Sequence, residues 1–311
     1  MKVMILAAGL GTRMLPHTRM LPKPMMPLLG RTLLEVAIDT AKRLDPDLVV
    51  VNAHHLAQKL ENYIHNHDFG VRVEVSREKD ILGTAGGIKA AQKWLAGDDF
   101  AVINSDIIAD VDWEGMLRAH RERGALATLM LRTSPHAEEY GALYMDKAGQ
   151  ITRFLDSVGP GHLANQEPLM FTGISILSGA MLERIPDGRG VDISGEIYRP
   201  MTAKGEALFG FVSGGDWVDV GTTAHYHKMV MEMLEANPRM VETEGKEYTD
   251  VTFHPPVYID PKARISAGCI LGPHVAIHAE ATLGAGVHLK NCVVLPGQSV
   301  RSGAALEDMV V

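Results

Sequence analysis

A chain of 311 residues with 46% hydrophobic and 22% charged residues has room for one large domain or two and the composition of a folded globular protein, which excludes a disordered one. A formal net charge of −8 disfavours nucleic acid as a partner, while a local basic pocket for a small phosphorylated ligand stays open. Two cysteines, Cys269 and Cys292, are too few for a disulfide framework or a cysteine-based metal site, so a reducing compartment, the cytoplasm, is expected.

The apolar start, residues 3–6, reads as a buried strand and is too short for a secretory leader. A long loop follows over residues 7–30, and Leu33, Leu34, Ala37, Ile38, Ala41 and Leu44 then recur on one helix face. Residues 48–51 are a strand, Leu56, Leu60, Tyr63 and Ile64 mark a helix, and 71–75 alternate like a strand with one exposed face. The spacing predicts a helix over 85–95, a strand over 100–103, a helix over 113–123 and a strand over 125–131. Strands alternating with helices in this way imply an α/β fold with a Rossmann-like, mostly parallel sheet. No run of about 18 apolar residues occurs, so no membrane helix is expected.

Periodicity fades over 235–250, where Asn237-Pro238 and the charged stretch 242–247 read as a linker. Beyond it Ile259, Ile265, Leu271, Ile277, Leu283, Leu289 and Leu295 stand six residues apart. Small or β-branched residues (Val257, Ala263, Cys269, Val275, Ala281, Val287, Val293) precede each by two. A six-residue period with one inward aliphatic per step marks a β-helix of two to three coils, and the pattern resembles the left-handed hexapeptide kind. The expected organisation is a domain over 1–236, a linker over 237–253 and a short left-handed parallel β-helix over 254–311.

The loop after the first strand reads Gly9-Leu10-Gly11-Thr12-Arg13-Met14. Met14 stands where a dinucleotide fingerprint needs glycine, and no Gly-Lys-Ser/Thr follows for a Walker loop. What remains is a pair of glycines that lets backbone N–H groups approach phosphates, with an arginine beside them; a plain tight turn is the competing explanation. Ten residues on, Leu21-Pro22-Lys23-Pro24 holds Lys23 between prolines that fix its backbone. An arginine and a rigidly presented lysine suit a triphosphate under attack.

Residues 5–14 together with Leu21-Pro22-Lys23-Pro24 resemble the signature of the sugar-1-phosphate nucleotidyltransferase family, over residues 1 to about 234. With the β-helix tail, Leu82-Gly83-Thr84-Ala85-Gly86 and Asn104-Ser105-Asp106-Ile107-Ile108, the chain is most similar to the mannose-1-phosphate guanylyltransferases. Val51-Asn52-Ala53-His54-His55-Leu56 is similar also to N-acetylmuramate-1-phosphate uridylyltransferases, and a heptose-1-phosphate guanylyltransferase remains an alternative.

The resemblance implies a Mg²⁺-dependent joining of a nucleoside triphosphate to a sugar 1-phosphate with release of pyrophosphate, best matched by GTP and mannose 1-phosphate. It implies that Ala8, Gly9, Gly11, Thr12 and Arg13 hold the nucleotide's phosphates, with Gly83 and Thr84 at the base. Arg13, Lys23 and Asp106 would be catalytic, and Asp106 and Asp219 of Trp217-Val218-Asp219-Val220-Gly221-Thr222 would bind Mg²⁺. Lys23, Gly141, Asp156, Thr172 and Gly173 would meet the sugar phosphate.

One departure stands out: the family's Phe-x-Glu-Lys-Pro reads here Phe154-Leu155-Asp156-Ser157-Val158, without the lysine. That leaves room for a non-catalytic NDP-sugar-binding regulatory subunit, while retention of Arg13, Lys23, Asp106 and Asp219 favours an enzyme. His54 and His55 read as capping or surface residues. His274, His278 and His288 in the tail suggest an acyltransferase activity less well than packing or subunit contact. The exposed edge of a terminal coil makes a homo-oligomer the expected state.

Overall fold

The computed structural model describes residues 1–135, 137–163, 166–242 and 248–311, so residues 243–247 of the charged linker stretch lie outside the described residues. The chain divides into two compact units: Met1–Leu10 with Leu34–Asp219, and Gly11–Leu33 with Val220–Val311. Among the described residues no helix is long and apolar enough to cross a membrane.

The first unit is the α/β sheet. Its leading elements are β1 (Lys2–Leu6), α1 (Leu33–Lys42), β2 (Leu48–Ala53), α2 (Ala57–Asn66), β3 (Val73–Arg77), α3 (Gly83–Ala90) and β4 (Phe100–Asn104). Every residue of β2 is buried, as expected of a parallel strand covered on both faces. The stripe Leu33, Leu34, Ala37, Ile38 and Ala41 on α1 is at most 1% exposed, confirming the periodicity that revealed the helix. The helix expected over 85–95 is instead two pieces, Gly83–Ala90 and Gln92–Leu95. Between them the Ala91 N–H is shared by the carbonyls of Gly87 and Ile88, as at a helix end.

Strand β1 lies between β2 and β4, parallel to both, with Val3 opposite Val49 on one side and Ala101 on the other. The chain therefore moves outward through β2 and β3, then crosses back to β4, which creates a topological switch point at the carboxyl ends of β1 and β4. The next elements are β5 (Ile107–Ala109), α4 (Trp113–Glu122), β6 (Ala127–Thr133), β7 (Leu143–Met145), β8 (Ile151–Phe154), β9 (Leu169–Leu177), β10 (Leu208–Val212) and β11 (Trp217–Asp219). Strand β9 runs antiparallel to β4 and β6, so the parallel half of the sheet is the half that the sequence displays most clearly.

The second unit holds α5 (Thr223–Glu235), the residues 11–33, and a parallel β-helix. Partners such as Val251 and Cys269, Val257 and Val275, and Arg264 and Thr282 are eighteen residues apart, three hexapeptides to a coil. Val257, Ile259, Cys269, Leu271, Val275, Ile277, Ala281 and Leu283 are at most 1% exposed and fill the interior. The six-residue register does not extend to Leu295, because Ile277 pairs with Val294 instead. The strand His288–Val294 rounds a corner at Asn291 (φ 49°), whose N–H bonds to the Pro273 carbonyl, and the coil loses one residue there. Val241–Glu242 and Val251–Phe253, inside the stretch read as linker, already pair in parallel with β-helix strands.

Candidate active site

The switch point places the residues that follow β1 and β4 side by side: the Ser105 N–H donates to the Leu6 carbonyl at 3.1 Å. Ala7 and Ala8 are buried, while Gly9 is exposed and a Cβ there would have nothing within 4 Å. Asp106 follows Ser105 directly and leads into β5, which pairs antiparallel with β11, Ile107 opposite Asp219 and Ala109 opposite Trp217. Two half-buried aspartates far apart in sequence thus have their backbones brought to one end of a three-rung ladder, Asp219 on its last rung and Asp106 one residue before it. Such a pair fits a hard dication that takes its other ligands from water and phosphate oxygens. Among the described residues no group of three or more His, Cys, Asp or Glu side chains is placed to hold an ion.

Gly83 opens α3 at φ 68°, and a Cβ there would lie 2.7 Å from the Val191 carbonyl oxygen. The same carbonyl accepts the Ala85 and Gly86 N–H groups at 3.0 and 3.2 Å. Thr84 donates its hydroxyl to Asp192 Oδ1 at 3.2 Å and accepts the Ile193 N–H at 2.8 Å. Whatever this segment offers a ligand therefore comes from its backbone more than from the Thr84 side chain.

Gly141 (φ 92°) packs where a Cβ would strike Leu155 Cδ2 at 2.2 Å. Gly173 (φ 83°) sits at a register shift of β9, with a Cβ position 2.7 Å from Asn104 Nδ2. Thr172 is 1% exposed; its hydroxyl donates to the Met130 carbonyl at 2.8 Å and its carbonyl accepts the Trp217 indole N–H at 2.9 Å. It fastens the sheet rather than presenting a hydroxyl. Asp156 is exposed and ion-paired with Arg199, and the Ser157 hydroxyl donates to the Arg199 carbonyl at 2.8 Å. A cation therefore stands beside the stretch that lacks the family lysine.

In the second unit Gly11 adopts φ 64° and accepts from the Thr18 hydroxyl at 2.9 Å. Its Cβ position lies 3.5 Å from Lys23 Cβ, so the absent side chain lets the glycine loop and the lysine turn lie together. Thr12 and Arg13 are exposed. Lys23 starts a single 3-10 turn, Lys23–Met25, in which the Met25 N–H bonds to the Pro22 carbonyl at 2.8 Å. Burial holds the His17 imidazole below its usual range, so it adds no charge at neutral pH to that of Arg13 and Lys23.

A family model described as Nucleotidyl transferase matches residues 2–236, three quarters of the chain, and one described as GMPPB C-terminal domain matches 253–311. The chain belongs to the sugar-1-phosphate nucleotidyltransferase family. The nucleotidyltransferase is 30% identical to a UTP–glucose-1-phosphate uridylyltransferase of Synechocystis, which it matches over 100% of its own length and 87% of the relative's. It is also 30% identical to the mannose-1-phosphate guanylyltransferase catalytic subunit beta of Xenopus tropicalis, over 100% and 86%. The crystal structure of HddC from Yersinia pseudotuberculosis shares the fold with a TM-score of 0.63 at 23% identity, covering 75% of this chain and 99% of that one.

Sequence reasoning missed Asn52, Glu78, Asp192 and Arg199 as parts of this architecture. Asn52 carries a usable signal: it is the one polar residue in the run Leu48–Ala53. Arg199 has none, because it reaches Asp156 from 43 residues away. Of the tail histidines, His278 is buried at 2% exposure, His274 pairs with Glu235 at the surface, and His288 is exposed.

Proposed function

We propose that this nucleotidyltransferase transfers a guanylyl group from GTP to mannose 1-phosphate, releasing pyrophosphate and leaving GDP-mannose. The observation that carries the reaction is that the backbones of Asp106 and Asp219 come to one ladder end beside the turn that follows β1, where the Ser105 N–H bonds to the Leu6 carbonyl. The choice of GTP and mannose is supported by the tail's match to the GMPPB C-terminal domain and by relatives named mannose-1-phosphate guanylyltransferase in Arabidopsis, rice and Xenopus.

An oxygen of the sugar 1-phosphate attacks the α-phosphorus in line. The new P–O bond forms as the bond to the α,β-bridging oxygen breaks, and the electron pair departs with pyrophosphate. A phosphate monoester has a second pKa of about 6, so the nucleophile is already ionised at neutral pH and no general base is required. Gly9 and Gly11 allow the backbone at Ala8, Thr12 and Arg13 to approach the phosphates. Arg13 and Lys23 offset charge on the reacting phosphoryl group and on the departing pyrophosphate. Asp106 and Asp219 would hold Mg²⁺, which when bound supplies charge neutralisation to the triphosphate. Gly83 and Thr84 line the base through their backbone, and Gly141, Asp156 and Gly173 lie along the sugar, with Arg199 as the cation beside Asp156.

A second reading, UTP with glucose 1-phosphate, is favoured by the Synechocystis relative. The ratio of kcat/KM for the two substrate pairs decides between them: a ratio above about tenfold for GTP and mannose 1-phosphate supports the proposal, and the reverse ratio installs the second reading. The reading includes a homo-oligomer, testable by sedimentation.

A further inference from the structure

Two nucleotide-binding segments in the proposed reaction, the turn after β1 and the Gly83–Thr84 entry to α3, are joined by a buried polar relay. The Ala7 N–H donates to Asn52 Oδ1 at 2.6 Å. Asn52 Nδ2 donates to Glu78 Oε1 at 2.7 Å. The Leu82 N–H donates to the other carboxylate oxygen, Glu78 Oε2, at 3.0 Å. Asn52 and Glu78 are 2% and 4% exposed. Gly87 closes over them, since a Cβ there would lie 2.6 Å from Asn52 Nδ2 and 2.7 Å from Glu78 Oε1. The Glu78 N–H donates to the Ala53 carbonyl at 2.8 Å, which fixes the carboxylate's backbone to the end of β2.

We propose that Asn52 and Glu78 are positioning residues that hold the turn at Ala7 and the strand-to-helix entry at Leu82 at the spacing the triphosphate nucleotide requires. The direction of every bond follows from the two backbone donors at its ends. Ala7 and Leu82 each bring one N–H, so the two side chains between them must supply three acceptor oxygens and one donor amide. An amide at 52 and a carboxylate at 78 do so. An amide at both positions lacks one acceptor and leaves donor facing donor in a site closed to water. A carboxylate at both places like charges together. Exchanging the two chemistries, a carboxylate at 52 and an amide at 78, restores every bond at unchanged net charge: the 52 carboxylate accepts from Ala7 and from the 78 amide, whose oxygen accepts from Leu82.

This inference rests on the proposed reaction, and its test separates the two. Pyrophosphate release is measured for wild type, Asn52→Asp, Glu78→Gln and the exchanged double variant, below the unfolding transition of each, with both substrates varied. Each single variant is expected to raise the KM for the nucleoside triphosphate by about tenfold, with the sugar 1-phosphate KM moving less than about twofold, and the double variant to recover to within about threefold of wild type. Single variants that are less heat-stable but keep the wild-type triphosphate KM would reduce the relay to a packing role and overturn the proposal. So would a double variant as impaired as the singles, or a rise of both KM values together. If wild type releases no pyrophosphate from any triphosphate, the reaction fails, and titration of GTP into the same four proteins still tests the relay by the same order of affinities.

Discussion

The phenol of Tyr226 donates to the carbonyl oxygen of Pro27 at 2.6 Å, across 199 residues of sequence. Tyr226 lies on α5 and is 0% exposed, and burial pushes its hydroxyl far above the ordinary phenol range, so it remains a donor at every working pH. Pro27 closes the segment that carries Lys23, and Gly30, three residues later, packs under the Tyr258 hydroxyl of the β-helix, 2.8 Å from its Cβ position. The lysine turn is thus anchored from α5 and from the tail. Tyr226→Phe leaves the Pro27 carbonyl without this partner and is expected to cost about 1–2 kcal/mol of stability and to weaken triphosphate binding. Thermal denaturation with and without GTP reads both effects, and unchanged values would show that the anchor is dispensable.

Asp106→Asn and Asp219→Asn each remove one negative charge from the end of the β5–β11 ladder while preserving size. The expected result for either is a fall in kcat of about a hundredfold or more with a folded circular dichroism spectrum, and a higher Mg²⁺ concentration at half-maximal rate. Chelation of divalent ions should silence wild type reversibly. A variant with a wild-type rate and wild-type Mg²⁺ dependence would remove that residue from the metal site.

Much of this site is written locally in the chain and some of it is not. Gly9 to Arg13 and Lys23 between its prolines are contiguous patterns whose chemistry is readable from neighbours in sequence. Asp106 is readable because it ends a buried apolar strand. That the backbone of Asp219 lies beside Ile107, next to Asp106, depends on pairing two three-residue strands more than a hundred residues apart, for which no local pattern exists. Asn52 is the one polar residue of its strand, and Glu78 stands just past β3 among the charged neighbours Arg77, Lys79 and Asp80; only the packing of Gly87 and the approach of Ala7 and Leu82 give the two meaning. The six-residue repeat exposes the β-helix, yet the shortened coil at Asn291 is invisible because Leu289 and Leu295 keep the spacing by sequence alone.

Arg199 supplies the positive charge beside Asp156 and Ser157. Arg199→Ala should raise the sugar 1-phosphate KM by about tenfold and leave the triphosphate KM within about twofold, with Arg199→Lys intermediate because a lysine keeps the charge but loses the planar fork. Equal sugar 1-phosphate KM values across the three proteins would place the cation outside the sugar-phosphate contact.

Burial pushes His278 down to about 3, with its Nε2 unpartnered among the described residues and the Tyr258 ring centred 5.6 Å away. The folded state therefore binds fewer protons than the unfolded state between about pH 6.5 and pH 3, so stability is full above that window and falls as pH drops through it, by up to about 1.4 kcal/mol per pH unit. His120, also lowered by burial and partly offset by Asp99, acts in the same direction. Denaturant unfolding of wild type and His278→Leu across pH 7 to 4 should show a flatter pH dependence in the variant. Parallel curves would mean that this histidine is not buried in its neutral form.

The most direct measurement is the product analysis of one reaction: purified protein with GTP, mannose 1-phosphate and Mg²⁺, followed by phosphorus NMR. Equal amounts of GDP-mannose and pyrophosphate are expected, formed only when all three are present, with phosphorus resonances at the two linked phosphates of a nucleotide sugar. Release of inorganic phosphate without GDP-mannose, or GTP and mannose 1-phosphate left unconsumed, would contradict the proposed reaction.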